Sequence, residues 1–269
     1  MSTNIVIVGA NGRMGKTITS LVQADPTFTL AGLVDRAECL PNLAVSGCTV
    51  GDNLATVLEQ TALSQTGKAV VIDFTAPEVS LASARLAARL GHPLVIGTTG
   101  LSEAQRDELQ DLARQTPIFW ASNMSIGVNV LARVLPLLAR ALGEDYDMEM
   151  VELHHNRKKD SPSGTALTLG ECLAAARGWH LPDVRCSARD GIIGERPKAQ
   201  IGIQAIRGGD VVGVHTVYFM GPGERIEVSH QAHSRENFAQ GALRVAVWLA
   251  GQKAGKLYGM QDMLQEVHV

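Results

Sequence analysis

The four apolar residues Ile5-Val6-Ile7-Val8 run directly into Gly9-Ala10-Asn11-Gly12-Arg13-Met14-Gly15. That order constrains the fold more than any other stretch. A short apolar run without polar alternation reads as a strand buried on both faces. Glycines three residues apart behind it let the chain turn tightly and let backbone approach a ligand closely. Met14 to Ala24 then reads as a helix with Met14, Ile18, Leu21 and Val22 on one face. Strand, glycine turn and helix together open a parallel sheet with right-handed crossovers. The same rhythm recurs. Strands are expected at Leu30–Val34, Ala69–Phe74, Leu94–Ile96 and Ile118–Trp120. Helices are expected within Thr49–Gly67, at Pro77–Leu90 with proline in the first turn, and at Ser102–Gln115 with Ser102 and Gln105 spaced as a capping box.

Beyond residue 126 the rhythm changes. Val128–Leu142 reads as one long helix, Met148–Leu153 as a strand and Gly164–Arg177 as a helix. Lys198–Arg207, Val211–Met220 and Arg225–Gln231 read as successive antiparallel strands, with turn signals at Gly208-Gly209 and Gly221-Pro222-Gly223. Arg235–Ala250 is again helical, with Phe238, Leu243, Val247 and Leu249 among its apolar residues. The expected fold is therefore α/β: a Rossmann-type, doubly wound parallel sheet, then a second α+β domain on a mixed or antiparallel open sheet. The domains divide at 1–126 and 127–234. They are joined by tight crossings near Asn123–Gly127 and Ser234, and the chain shows no internal repeat.

Gly9-x-x-Gly12-x-x-Gly15 is a variant of the dinucleotide fingerprint, and it lies between strand and helix as that fingerprint requires. Ala10, Asn11, Arg13 and Met14 belong to the same turn. Asp35 follows Gly15 at the end of the second strand, where a carboxylate binds a ribose 2′-hydroxyl; Arg36 beside it suits a 2′-phosphate. NADH and NADPH are both expected as cofactors, unranked. Gly97-Thr98-Thr99 and Ala121-Ser122-Asn123-Met124 also follow strands, at the edge where open α/β sheets bind ligands. Their small residues admit a flat ring. Asp73-Phe74-Thr75 ends a strand too and reads as structural.

The second concentration of chemistry is His154-His155-Asn156-Arg157-Lys158-Lys159-Asp160-Ser161-Pro162-Ser163-Gly164-Thr165-Ala166. It combines imidazoles that exchange protons near neutral pH with cations and a helix start. Ser163 is a natural N-cap, and the Gly164 and Thr165 N–H groups behind it suit a carboxylate. His154 and Lys158 are four apart and approach one another if the loop turns once. Arg157, Lys159 and Asp160 set local charge, and Glu152 is placed to orient a histidine. His215, His230 and His233 read as structural, with no metal site expected. Arg235 and Arg244 are candidates for holding an anion.

The segment Glu149-x-x-Glu152-x-His154-His155-x-x-Lys158-x-Asp160-x-Pro162-Ser163-Gly164-Thr165-Ala166 closely resembles the signature of the 4-hydroxy-tetrahydrodipicolinate (dihydrodipicolinate) reductases of the diaminopimelate route to lysine. Met150 departs from the Ile or Val expected there. The glycine loop, Asp73-Phe74-Thr75, Gly97-Thr98-Thr99-Gly100, Ser122–Asn129 and Gly208-Gly209-Asp210-Val211-Val212-Gly213-x-His215-Thr216 extend the resemblance over nearly the whole chain. It implies a cyclic dicarboxylate substrate, reduced by hydride at a ring double bond formed when a hydroxyl leaves as water. It implies His154 as the acid/base residue, Lys158 as proton donor, and His155, Gly164 and Thr165 as contacts to a substrate carboxylate. Which of His154 and Lys158 delivers the final proton stays open at this level. It also implies that 235–269 fold back onto the nucleotide domain, that the loops after the fourth and fifth strands hold the nicotinamide end, and that the second domain builds a homotetramer.

Composition excludes other classes. A net charge of −3 over 269 residues gives no electrostatic case for nucleic acid or an anionic membrane. The chain start carries no basic stretch, no apolar run approaches the ~20 residues of a membrane span, and Cys39, Cys48, Cys172 and Cys186 are widely spaced. A cytoplasmic protein is expected. An amino-acid dehydrogenase would share the glycine loop without needing His154, His155 and Lys158 beside Ser163-Gly164-Thr165. A non-catalytic dinucleotide sensor would have no use for proton donors at a helix start.

Overall fold

The computed structural model describes residues 2–43, 47–64 and 67–265. The chain divides into two compact units, one made of 1–125 and 236–269, the other of 126–235.

The first unit opens with β1 (Thr3–Val8), α1 (Arg13–Ala24), β2 (Phe28–Val34) and, after a 3-10 turn at Ala37–Asn42, β3 (Thr49–Gly51). It continues through α2 (Leu54–Ser64), β4 (Val70–Asp73), α3 (Pro77–Leu90), β5 (Leu94–Ile96), α4 (Glu103–Leu112) and β6 (Ile118–Trp120). In β1, Asn4 to Val8 are all buried, as a parallel strand covered on both faces must be. Three glycines are needed for close contact. Gly9 adopts φ +77°, and a β-carbon there would lie 2.6 Å from Thr75 Cγ2. A β-carbon at Gly15 would overlap the Gly9 carbonyl oxygen and lie 2.7 Å from Ala10 Cα. One at Gly97 would strike the Phe74 ring. Ser102 and Gln105 form the expected capping box.

The second unit holds α5 (Ile126–Leu142), β7 (Asp147–His154), α6 (Gly164–Ala176), α7 (Leu181–Val184), β8 (Arg185–Cys186), β9 (Ile201–Arg207), β10 (Gly213–Gly221) and β11 (Glu224–Ala232). Its sheet runs in the order β11-β10-β7-β9-β8. Alternate residues of β7, Met148, Met150, Glu152 and His154, are buried, while their neighbours are half-exposed. The apolar residues of the covered face pack with Leu135 and Ala139 of α5 and Leu169 and Leu173 of α6. On the other face Val151, Leu153, Val214 and Tyr218 stay half-exposed and Ile206 is exposed.

The chain then returns to the first unit with α8 (Glu236–Leu249), β12 (Leu257–Tyr258) and α9 (Met260–Gln265). The completed sheet is parallel throughout, in the order β12-β6-β5-β4-β1-β2-β3. Gly241 of α8 lies against the Met124 backbone so closely that a β-carbon would overlap its carbonyl oxygen.

Two sequence expectations are corrected. The strand expected from Lys198 begins at Ile201, because Gln200 N turns back to Lys198 O and Arg196 binds the Gln200 carbonyl. It also runs parallel to β7, not antiparallel, because α6 lies between them as a crossover. The edge strands β3 and β12 are too short to announce themselves by periodicity. Of the apolar residues of α8, Val247 is 49% exposed while Leu243 and Leu249 are buried.

Candidate active site

The glycine turn lies at the C-terminal edge of the parallel sheet. Gly12 is the N-cap of α1, and no side chain caps that helix. Its first turn carries no acidic residue, so the helix dipole is left for an external anion. Asp35 accepts from Asn11 N and Arg36 N, both at 2.8 Å, which holds its carboxylate against the turn. Asn11 Oδ1 is buried with no hydrogen-bond partner. Arg36 pairs with Glu38 at 3.1 Å, but the two side chains are 77% and 65% exposed, so the pair is easily exchanged. These features fit a dinucleotide: a bare helix start for pyrophosphate, a fixed carboxylate for ribose, and glycines that let the turn close tightly on itself.

Along the same edge, Thr98 is buried, with its hydroxyl 2.7 Å from Ser80 Oγ and its carbonyl accepting from Trp120 Nε1. Thr99 is exposed. Asn123 Oδ1 accepts from Ser125 N at 2.9 Å. Ser122 is exposed and Ala121 half-buried, whereas Met124 is buried, so any ligand contact from Met124 is through its main chain. Asp73 is fully buried and accepts from Thr75 N and from the Thr75, Ser80 and Ser83 hydroxyls. That network ties the strand end to α3.

In the second unit, β7 delivers His154 and the following turn delivers Lys158, whose N–H bonds to His155 O. His154 is buried, and its Nδ1 lies 2.6 Å from Glu152 Oε2. Glu152 has no exposed surface and takes three further hydrogen bonds: Ser163 N at 3.0 Å and both terminal nitrogens of Arg207 at 2.8 Å. Burial alone would raise the Glu152 carboxyl. The Arg207 fork, His154 and the Ser163 N–H outweigh it and hold the group below the usual carboxylate range. Stranding that charge by removing its cation would cost about 3–5 kcal/mol. An ionised carboxylate only accepts, so His154 carries its proton on Nδ1 and presents a lone pair at Nε2. Burial pushes the His154 ring below its ordinary value, Glu152 partly opposes this, and Lys158 and Arg207 add to it. The ring is therefore neutral at pH 7. A β-carbon at Gly213 would sit 3.0 Å from Nε2, so glycine there leaves that nitrogen unobstructed.

Ser163 caps α6, accepting from Ala166 N at 3.2 Å, and its hydroxyl lies 3.1 Å from His215 Nε2. Gly164 is exposed and Thr165 half-buried at the helix start. His215, its ring centroid 5.2 Å from that of His154, is pushed down to about 4, chiefly by burial. His155 Nδ1 is buried without a hydrogen-bond partner. Lys158 Nζ pairs with Asp160 at 3.0 Å, and Arg157 and Lys159 are exposed. Among the described residues no group of three or more His, Cys, Asp or Glu side chains is placed to hold a metal, and no helix is long and apolar enough to cross a membrane. Arg207 was missed from the sequence; its only signal was a cation at a strand end before Gly208-Gly209.

Residues 3–124 match the family description "Dihydrodipicolinate reductase, N-terminus" and residues 127–264 match "Dihydrodipicolinate reductase, C-terminus". The chain belongs to the dihydrodipicolinate reductase family. Membership makes it an oxidoreductase that uses a pyridine nucleotide. The 4-hydroxy-tetrahydrodipicolinate reductase of Desulfovibrio desulfuricans is 73% identical over 98% of this chain and 100% of its own length. That of Lawsonia intracellularis is 52% identical over the same shares. Among solved structures, dipicolinate-bound dihydrodipicolinate reductase from Paenisporosarcina sp. TG-14 superposes with a TM-score of 0.79. It is 23% identical and covers 98% of this chain and 100% of that one. At that identity the likeness speaks for the reductase fold alone. The family's C-terminal half runs through α8, although α8 packs within the first unit.

Proposed function

We propose that this chain reduces 4-hydroxy-tetrahydrodipicolinate to tetrahydrodipicolinate, consuming one reduced nucleotide and one proton and releasing water, with His154 and Lys158 as its proton-handling residues. The reaction belongs to the diaminopimelate route to lysine. The observation that carries the assignment of roles is the buried His154, bonded through Nδ1 to Glu152 and facing glycine at 213 with Nε2, in the same cluster as the Ser163-capped start of α6. The bound nucleotide supplies the hydride. His154 Nε2 exchanges a proton with the substrate as its hydroxyl leaves. The Lys158 ammonium donates to ring carbon, and the turn that brings it back past His155 keeps it within electrostatic reach of His154. The Gly164 and Thr165 N–H groups and His155 hold a substrate carboxylate at the α6 start. Gly9, Ala10, Asn11, Gly12, Arg13, Met14 and Gly15 cradle the pyrophosphate, while Asp35 and Arg36 take the adenosine ribose. Gly97, Thr98, Thr99, Ala121, Ser122, Asn123 and Met124 take the nicotinamide end.

Asp35 suits the free ribose of NADH, and the loosely held Arg36 suits the 2′-phosphate of NADPH, so both nucleotides serve. The test is loss of nicotinamide absorbance with each, the substrate being made in place by a synthase from pyruvate and aspartate semialdehyde. Synthase-dependent oxidation of both is expected. No oxidation by a protein that binds nucleotide would sink the assignment.

The half-exposed apolar face of the second sheet supports assembly as a homotetramer through that unit. Size-exclusion chromatography with light scattering should give four times the 28.6 kDa chain mass; a monomer at micromolar concentration would refute it.

A further inference from the structure

We infer that Glu152 is a positioning residue shared by both parts of the substrate site: one buried carboxylate aligns the His154 ring through Nδ1 and anchors the start of α6 through the Ser163 N–H, with Arg207 locking it in place. The inference rests on the roles proposed above for His154 and the α6 start.

Four hydrogen bonds converge on this carboxylate, from His154 Nδ1, Ser163 N and the two terminal nitrogens of Arg207. Only a carboxylate accepts all four, because a side-chain amide has one acceptor oxygen and turns a donor toward the rest. Ser163 is the pivot. Its N–H is fixed by Glu152, its hydroxyl caps α6, and the next two residues carry the N–H groups offered to substrate. The register explains the convergence. Glu152 lies opposite His215 on β10, and His154 lies opposite Arg207 on β9, so three strands and one helix start meet at one side chain. Arg207 also donates to the Asp160 carbonyl, tying the same cluster to the turn that carries Lys158.

The geometry predicts a pattern that general loss of packing would not produce. In Glu152→Gln the amide leaves a donor facing His154 Nδ1 or leaves the Ser163 N–H unmet. In the first case the imidazole proton moves to Nε2, the wrong nitrogen for accepting from substrate. The expected result is a kcat lower by about a hundredfold or more, the scale seen when a histidine loses its orienting carboxylate. KM for the dicarboxylate should rise, while nucleotide affinity stays within twofold. The charged and titratable groups around His154 are Glu152, Lys158, Arg207 and His215. Of these Glu152 raises its pKa, whereas Lys158 and Arg207 lower it. The acid limb of kcat/KM should therefore move to lower pH. Proton NMR gives a readout independent of activity: a low-field imidazole Nδ1–H resonance in the parent, lost in Glu152→Gln. Arg207→Lys, which keeps the charge but breaks the fork, should shift that resonance and lower kcat less. It serves as the decisive variant if Glu152→Gln does not fold.

Parent-like kcat, KM and imidazole signal in the folded variant would overturn the inference. So would lost activity with the resonance and the acid limb unmoved. If His154→Ala proves fully active, the roles assigned to His154 fail, and the resonance still reports whether Glu152 sets its tautomer.

Discussion

Alanine at His154 is expected to lower kcat by about 10²- to 10⁴-fold, the range associated with removing a positioned acid/base group. The same range is expected for Lys158→Ala. Neither change touches the first unit, so nucleotide titration by calorimetry should match the parent in both. His154 is buried, bonded to Glu152 through Nδ1 and facing Gly213 with Nε2, and its truncation removes that nitrogen. Lys158 is different, being half-buried and held by an Asp160 that is itself 58% exposed. Its truncation should leave thermal stability nearly unchanged. The measurement is the synthase-coupled loss of nicotinamide absorbance. Retention of more than a tenth of parental kcat in either variant would remove that residue from the chemistry.

Gly15→Ala should give the reverse pattern. The added β-carbon meets main-chain atoms, the Gly9 carbonyl oxygen and Ala10 Cα, and these cannot rotate away as a side chain would. The turn must open to admit it. Overpacking of this kind costs about 1–3 kcal/mol, which in binding terms is roughly a 5- to 150-fold loss of nucleotide affinity. Calorimetry with NADH and NADPH checks this. The low-field His154 resonance should persist, since the second unit is untouched. Nucleotide binding at parental strength would show that the turn is not where the pyrophosphate lies.

The contrast between these two regions shows what the sequence can and cannot disclose. Gly9, Gly12 and Gly15 are legible because the constraint is local: a strand, a turn and a helix in succession leave few alternatives. His154 through Thr165 is legible for the same reason, with proton carriers, cation and helix cap lying in one continuous stretch. Arg207 is not legible, because its partnership with Glu152 depends on β9 lying beside β7 in parallel register. Periodicity identifies strands without ordering them. His215 reads from sequence as a structural residue, and only the pairing of β10 with β7 brings it within 5.2 Å of His154, ring centre to ring centre. The parallel β7–α6–β9 crossover was hidden by the irregular stretch between α6 and β9, which breaks the strand–helix rhythm. Asp73 reads from sequence as mainly structural, and the four hydrogen bonds it accepts tie a strand end to α3.

The return of α8 to the first unit makes the order of synthesis differ from the order of completion. Residues 1–125 emerge first, yet the sheet they build lacks the helix whose Ala239, Ala242, Val245, Ala246 and Leu249 are buried in its core. At translation rates of roughly 5–20 residues per second, the stretch 126–249 takes on the order of ten seconds to follow. Throughout that interval the nascent chain displays an apolar sheet face, while 126–235, encoded later, already holds everything its own core requires. The half translated first is thus the half finished last. A chain cut just before α8, between Ala232 and Glu236, would carry an intact proton-transfer site and no finished place for the nucleotide, a ready target for chaperones and proteases.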